Sequence, residues 1–406
     1  MKVLSLFDGM ACGMIAMQLA GVEVESYDAY EIDKYAIKTA QHNFPMIKEH
    51  GDVFSADFTQ YEGVDFLIGG SPCTYWSIAQ TKNRETVASG MGWELFSQYV
   101  RALHEAKPKY FIYENNKSMS KSIRASIDET FGFEAVLINS ALVSAQNRQR
   151  LYWVGKRNED GTYSKVLVEQ PEDRGILLRD ILETGVCWRD KSYTLDANYY
   201  NGGNLTSLEK QSGKRLMAAE SLITTPDGKS FCITATYYKD GIRNVVGNTV
   251  DRKTCVAETV RIGTYPTSDG RLLNSQGSRI YSVDGKAVTQ SAQGGGRGSK
   301  TGFTDGKTQT LSTSHIPNVI EHKSDKKYPV YEVRNGLITI KGKQYPIKLQ
   351  DDYYIIRKLT VRECMRLQTV PEWYEFPVSD SQAYKMLGNG WTCEVIAHIL
   401  KYLKGA

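Results

Sequence analysis

The sequence predicts an α/β fold: a Rossmann-like, doubly wound parallel sheet interrupted by a long β-rich insert. Three observations carry this. Short apolar runs alternate with helix-periodic segments over residues 1–158, and helical patterns return after Tyr353. The stretch between them is dense in turn residues and short β-prone runs. The expected division is therefore a sheet domain built from 1–158 and completed by 354–406, around an inserted domain over 159–353.

At 406 residues, 41% hydrophobic and 24% charged, the chain can bury the cores of two domains, and disordered, collagenous and coiled-coil classes are excluded. No run of about eighteen uncharged apolar residues offers a membrane span. Asp8 breaks the apolar start Met1 to Phe7 too early for an export signal. Seven dispersed cysteines, odd in number and without a C-x-x-C pair, suggest neither a disulfide framework nor, with six scattered histidines, a metal site. A reduced, cytoplasmic protein is expected.

The first strand, Val3 to Phe7, runs into Phe7-Asp8-Gly9-Met10-Ala11-Cys12-Gly13, where glycines let the backbone turn tightly against a ligand before a helix. The second, Val24 to Tyr30, delivers Glu31, an acid suited to a ribose with both hydroxyls free. Asp52-Val53 follows the third, where the Asp can accept from an adenine amino group. The fourth, Phe66 to Ile68, leads into Gly69-Gly70-Ser71-Pro72-Cys73-Thr74-Tyr75-Trp76-Ser77 at the ligand-binding edge. Cys73 there is a nucleophile if cations favour its thiolate, or a small buried thiol. Trp93 to Glu105 reads as a helix, and the fifth strand, Tyr110 to Tyr113, ends in Glu114-Asn115-Asn116. Glu114 is either a proton donor beside the cysteine or a cap. In Gln146-Asn147-Arg148-Gln149-Arg150, before the strand Leu151 to Val154, alternation puts both guanidiniums on one face, able to hold a phosphate or a base oxygen.

The insert repeats itself. Lys191 to Tyr200 recurs as Lys229 to Tyr238, with weaker echoes at Lys286 to Ala292 and Lys307 to Thr313, at spacings too irregular for a solenoid. The near-neutral total of +4 hides one basic window. Lys239 to Lys307 holds eleven Lys or Arg against six Asp or Glu, with twelve of the 35 glycines. That composition suits a nucleic-acid surface or a solvated loop.

Taken together, the motifs closely resemble those of the DNA cytosine-C5 methyltransferase family: F-x-G, P-C-x-x-x-S, E-N-V, Q-x-R-x-R, R-x-L-T-x-R-E and a late G-N, in that order. The chain supplies Phe7-Asp8-Gly9, Pro72-Cys73 with Ser77, Glu114-Asn115-Asn116, Gln146 to Arg150, Arg357-Lys358-Leu359-Thr360-Val361-Arg362-Glu363 and Gly388-Asn389-Gly390. Three positions depart from the family pattern. Asn116 stands for Val, Thr74 for Gln, and Gly390-Trp391 for Ser-Val.

The resemblance implies a methyltransferase sheet with S-adenosylmethionine as donor and S-adenosylhomocysteine as product, without a metal. Phe7, Gly9, Gly13, Glu31, Ile32, Asp52, Val53, Pro72, Leu95 and Asn389 would surround the donor. It also implies Cys73, Glu114, Arg148 and Arg150 as catalytic residues acting on a cytosine flipped from double-stranded DNA. Ser77, Lys82 and Arg84 would lie in a loop closing on DNA. Gln276, Arg279, Thr289, Gly295 and Lys300 resemble recognition loops of bacterial members that methylate GCGC, with Arg279 reading a guanine, although Ser278 departs from the acid expected before it. A monomer on DNA, from a restriction-modification system or a phage, is the expected setting. The rivals are an RNA cytosine methyltransferase acting on transfer RNA and a catalytically inactive DNA-binding homologue. The long insert speaks against the first and the intact catalytic residues against the second.

Overall fold

The computed structural model describes residues 1–77, 84–201, 217–221, 260–264, 279–283, 286–289, 319–321 and 327–404. They fall into two compact units, one of Met1–Ile181, Asp190–Gly203 and Leu359–Ala406, the other of Leu182–Arg189 and Asn204–Lys358.

The first unit is a three-layer α/β sheet. Its elements are β1 (Lys2–Leu6), α1 (Cys12–Leu19), β2 (Ser26–Tyr30), α2 (Lys34–Asn43), β3 (Ile47–Glu49), β4 (Phe66–Gly69), α3 (Met91–Ala106), β5 (Tyr110–Asn116), α4 (Lys121–Phe131), β6 (Val136–Asn139), β7 (Gln149–Arg157), β8 (Tyr163–Lys165) and α5 (Leu178–Ile181). After the insert come α6 (Val361–Leu367), α7 (Asp380–Asn389) and α8 (Cys393–Lys404). The sheet order is β3-β2-β1-β4-β5-β7-β6, with β8 on β7. Strands β1 to β5 are parallel. The chain leaves β1 for β2 on one side and returns as β4 on the other. The crevice at the carboxyl ends of β1 and β4 is therefore a topological switch point, where such sheets bind ligands.

Strand β7 departs from the parallel pattern, running antiparallel to both β5 and β6. The connection 140–148 is too short for a crossover helix, so only antiparallel pairing is open to it. Strand β8 pairs with β7 as a further antiparallel strand, which carries the first unit past residue 158.

Local signals fix the ends of the helices. Asp33 caps α2 by accepting from the Tyr35 N–H at 2.9 Å, Ser120 caps α4, and Thr360 with Glu363 forms a capping box on α6. Between sheet and helices lies an aromatic core that includes Trp76, Phe96, Tyr99, Phe111, Tyr113 and Trp153. Strand β5 is buried along its whole length, so the residues at its end are held by a rigid rod.

The second unit, as described, holds β9 (Met217–Ser221), β10 (Val260–Thr264), β11 (Arg279–Val283), β12 (Lys286–Thr289), β13 (Val319–Glu321), β14 (Lys327–Arg334), β15 (Leu337–Ile340), β16 (Lys343–Pro346) and β17 (Asp352–Lys358). One sheet has the order β16-β15-β14-β17-β9 with β13 on β14, over a core of Ala219, Val333, Ile338, Ile340, Ile347 and Tyr354. A second is the antiparallel ladder β10-β11-β12. Short β-prone runs are expected here from the sequence, and the regular elements described in this unit are all strands.

The C-terminal segment meets the first unit by a backbone approach that only glycine permits. A Cβ on Gly388 would lie 2.2 Å from the Asp196 carbonyl carbon and 2.4 Å from the Ala197 nitrogen. Gly388→Ala is expected to cost about 3 kcal/mol, because backbone on both sides must move; an unchanged urea midpoint would contradict this.

Candidate active site

At the end of β1 the chain reverses through three residues of positive φ, Phe7 (58°), Gly9 (62°) and Ala11 (60°). The N–H groups of Phe7 and Asp8 donate to the Tyr30 carbonyl at 2.9 and 3.3 Å, tying the loop to β2. Glu31 completes the knot. One carboxylate oxygen accepts from the Gly9 N–H at 2.8 Å, and the other from the N–H groups of Ile32 and Asp33, also at 2.8 Å. A Cβ on Gly9 would meet nothing within 4 Å, so the space over this turn is open. Gly13 is different. Its absent side chain lets α1 approach β4, since a Cβ would lie 2.4 Å from Ile68 Cδ1 and 2.7 Å from the Tyr27 hydroxyl. Packing, the third-glycine role in such turns, therefore explains it.

The same edge holds acids whose ionisation burial disfavours. Asp8 Oδ1 accepts from the Ser5 and Tyr27 hydroxyls at 2.5 and 2.6 Å, while its buried Oδ2 has no partner. Burial pushes the Asp8 carboxyl up to about 6 against those two hydrogen bonds, and the charge of Glu31 adds to the rise. Burial likewise pushes Glu49 up to about 8, helped by Asp8 and Glu31. Ile32 is 75% exposed and Phe54 47%, so apolar surface stands open beside these acids. Asp52 is exposed and caps the following turn by accepting from the Phe54 N–H at 3.0 Å. Val53, expected at the donor, is buried, and its carbonyl accepts from Arg101 at 2.8 Å.

At the end of β4, Gly69 and Gly70 allow a second close approach. A Cβ on Gly69 would lie 2.6 Å from the Leu6 carbonyl oxygen, and one on Gly70 would lie 2.7 Å from the Glu114 carbonyl and 2.9 Å from its Oε2. The loop is pinned to β5 by Ser71, whose Oγ bonds the Tyr113 hydroxyl at 2.6 Å, and by Asn115, which donates to the Ser71 carbonyl at 3.2 Å. Pro72 is exposed, and Cys73 opens a turn of 3-10 helix, Cys73–Tyr75. This backbone is thus brought against the carboxyl-bearing end of β5.

Glu114 is held at both oxygens. Arg150 Nε donates to Oε1 at 3.0 Å and Trp391 Nε1 donates to Oε2 at 2.9 Å. In the β5–β7 ladder Glu114 faces Tyr152 and Asn116 faces Arg150, so Glu114 and Arg150 are diagonal neighbours on one face. Arg148 is buried. It donates to the carbonyls of Leu195 (2.8 Å), Gly390 (2.8 Å) and Gly388 (3.2 Å). Asn116 is absorbed within its own turn, accepting from the Ser118 hydroxyl at 2.6 Å and donating to Asn115.

The loop after the cysteine is latched at its base. Trp76 Nε1 donates to Glu85 at 3.0 Å, and Glu85 also accepts from the Gly92 N–H at 3.2 Å. Arg84, expected to face DNA, donates to the carbonyls of Trp76 (3.2 Å) and Ser118 (2.7 Å). Ser77 is half-buried, Leu95 packs on the aromatic core, and Asn389 is exposed at the end of α7. Arg279 opens β11 and Thr289 closes β12; with Ile280 opposite Thr289, both fall at one end of that hairpin. Lys82, Gln276, Gly295 and Lys300 lie outside the described residues. Sequence reasoning missed Trp391 as a partner of Glu114, although the chain's departure at that position was its signal. It also passed over Asp8 and Glu85 as structural acids.

A switch-point crevice with a Gly9 turn and Glu31 on one side, and a cysteine turn beside an arginine-held carboxyl on the other, defines a Rossmann-like methyltransferase. The family model described as C-5 cytosine-specific DNA methylase matches residues 1–405, and the chain belongs to that family. Among its relatives, the orphan methyltransferase M.SPRI of Bacillus phage SPR is 26% identical, covering 99% of this chain and 97% of that protein. The type II methyltransferase M1.ScrFI of Lactococcus lactis subsp. cremoris is 29% identical over 65% of this chain and 69% of its own. A solved mutant of DNMT2 from Spodoptera frugiperda has the same fold, with a TM-score of 0.51, 14% identity and 99% of both chains covered.

The family implies S-adenosylmethionine, a cation. The orphaned Asp8 oxygen, the open space over Gly9 and the exposed Ile32 fit such a donor. Asp8 attracts a cation only when ionised, so donor affinity is expected to fall as the pH drops from 7 to 5 through about 6. Asp8→Asn should bind more weakly at pH 7 and flatten that dependence in calorimetric titrations.

Proposed function

We propose that the chain transfers a methyl group from S-adenosylmethionine to C5 of a cytosine flipped out of a specific duplex DNA site, through a Cys73–C6 adduct. The observation that supports this is the approach of Gly70, three residues before Cys73, to Glu114, whose carboxyl is held at both oxygens. When bound, S-adenosylmethionine supplies an electrophilic methyl group. Phe7, Gly9, Glu31, Ile32, Asp52 and Asn389 would hold it.

Cys73 adds to C6 of the ring, which makes C5 nucleophilic. Glu114 sits at the N3 side, where it holds or moves a proton as negative charge builds on the base. Arg150 keeps that carboxyl in place through Nε, while its Nη1 donates to the Gln149 carbonyl at 3.0 Å, which leaves Nη2 to offer to the cytosine carbonyl oxygen. Arg148 positions rather than reacts, because its guanidinium binds three backbone carbonyls. Once C5 carries the methyl group, a solvent water takes the C5 proton, the C5–C6 double bond re-forms and Cys73 leaves as thiolate.

In this reading the insert expected over 159–353 carries the target-recognition domain, and 1–158 with 354–406 form the catalytic domain, whose sheet also takes in β8 from the start of the insert. The β11–β12 hairpin brings the backbones of Arg279 and Thr289 to one end, which suits a guanine contact beside a phosphate contact. The basic, glycine-rich composition around it suits the same surface. In this reading the protein acts on DNA as a monomer, in the cytoplasm.

Cys73→Ala should abolish methyl incorporation from labelled donor into duplex DNA, and turnover near the wild-type rate would reject the nucleophile. Glu114→Gln should slow turnover by about a hundredfold or more while donor binding persists. Bisulfite sequencing should find a guanine beside each methylated cytosine, and Arg279→Ala should weaken that preference by about 1–3 kcal/mol. Equal methylation in all sequence contexts by the wild-type protein would reject the recognition role.

A further inference from the structure

We propose that Trp391 is a positioning residue that fixes the carboxyl of Glu114 in its working orientation, and that the two arginines of Gln146 to Arg150 converge on this one carboxyl. The inference rests on the catalytic reading of Glu114 given above and extends it to a residue outside the family pattern.

Glu114 has two oxygens and each meets one rigid donor, Arg150 Nε and Trp391 Nε1, at 3.0 and 2.9 Å. A single donor would leave the carboxyl free to turn about its last bond; two donors on different oxygens set its plane. An indole offers one N–H and no acceptor, so the contact has one sense only, with Glu114 accepting. The carboxyl lone pairs left over are then fixed in direction before a base arrives.

The backbone around Trp391 is held on both sides. On one side, the Gly390 N–H donates to the Met386 carbonyl at 2.7 Å, ending α7, and the Gly390 carbonyl accepts from Arg148 at 2.8 Å and Gln368 at 3.3 Å. On the other, the Thr392 hydroxyl bonds Ser140 at 2.8 Å and donates to Gln368 Oε1 at 3.0 Å. Gly390 itself has little room, since a Cβ there would lie 3.0 Å from Cys12 Sγ. The indole therefore projects from a turn that cannot drift. Arg150 reaches Glu114 directly, and Arg148 reaches it through Gly390 and Trp391.

The test compares Trp391→Phe, Glu114→Ala and the double variant of the full chain in single-turnover methylation of duplex DNA. Trp391→Phe keeps a ring and loses the N–H. Its rate is expected to fall about tenfold, as for a lost orienting contact, with the DNA KM and the donor Kd changed less than about threefold. In the Glu114→Ala background the same substitution should cause no further loss, because its N–H then has no carboxyl to hold. A wild-type rate for Trp391→Phe overturns the inference. An equal further loss in the double variant, which general damage to the fold would produce, overturns it as well. Failure of Glu114→Ala to slow the reaction would instead overturn the catalytic reading beneath it.

Discussion

The first unit depends on one buried cation. The Arg148 guanidinium lies in the interior and satisfies the carbonyls of Leu195, Gly388 and Gly390, which come from parts of the chain far from it in sequence. Each partner would be costly to leave unpaired. A guanidinium without acceptors and a helix end without donors both carry large desolvation penalties in a dry interior. The clamp works because each side needs the other. It also offsets the chain entropy lost when residues 359–406 return to the sheet after a long insert, a cost that rises only slowly with insert length.

Around that clamp the ligand edge is built from close approaches and buried charge. Gly13, Gly69, Gly70 and Gly388 each stand where a Cβ would fall within 3 Å of a neighbour, so the backbone comes nearer than packed side chains allow. The acids run the other way. Asp8 and Glu49 are kept where ionisation is disfavoured, and Asp8 keeps a buried oxygen with no partner. Such a group weakens the isolated fold. It is tolerable where a cationic ligand arrives to answer it, which is the usual bargain between stability and a binding site.

Much of this was legible in the sequence, and what was not has a physical reason. Strands β1, β4 and β5 are largely apolar runs that end in Gly, Gly-Gly or Glu turns, and burial on both faces makes such runs easy to read, whereas β2 (SYDAY) is only partly buried. The helical pattern Trp93 to Glu105 lies inside α3, and the late patterns correspond to α6 and α8. The roles of single residues were harder to read. Gly13 looks like a ligand-turn glycine because composition cannot distinguish room for a ligand from room for Ile68. Arg84 looks like a phosphate contact because charge alone does not reveal two backbone carbonyls within its reach. Trp391 stood out as a departure, but its partner lies 277 residues away and no local period connects the two.

The carboxyl of Glu114 shows why the split arrangement matters chemically. It sits at the end of a buried strand, yet the donors that orient it come from the neighbouring antiparallel strand and from the turn between α7 and α8. Strand β7 alone could supply Arg150 as soon as the sheet forms. The second donor exists only when the C-terminal segment has docked and Arg148 has closed on Gly390. The acid acquires its second anchor through the same contact that closes the fold, so a chain whose C-terminal segment has not docked would present Glu114 without its full orientation.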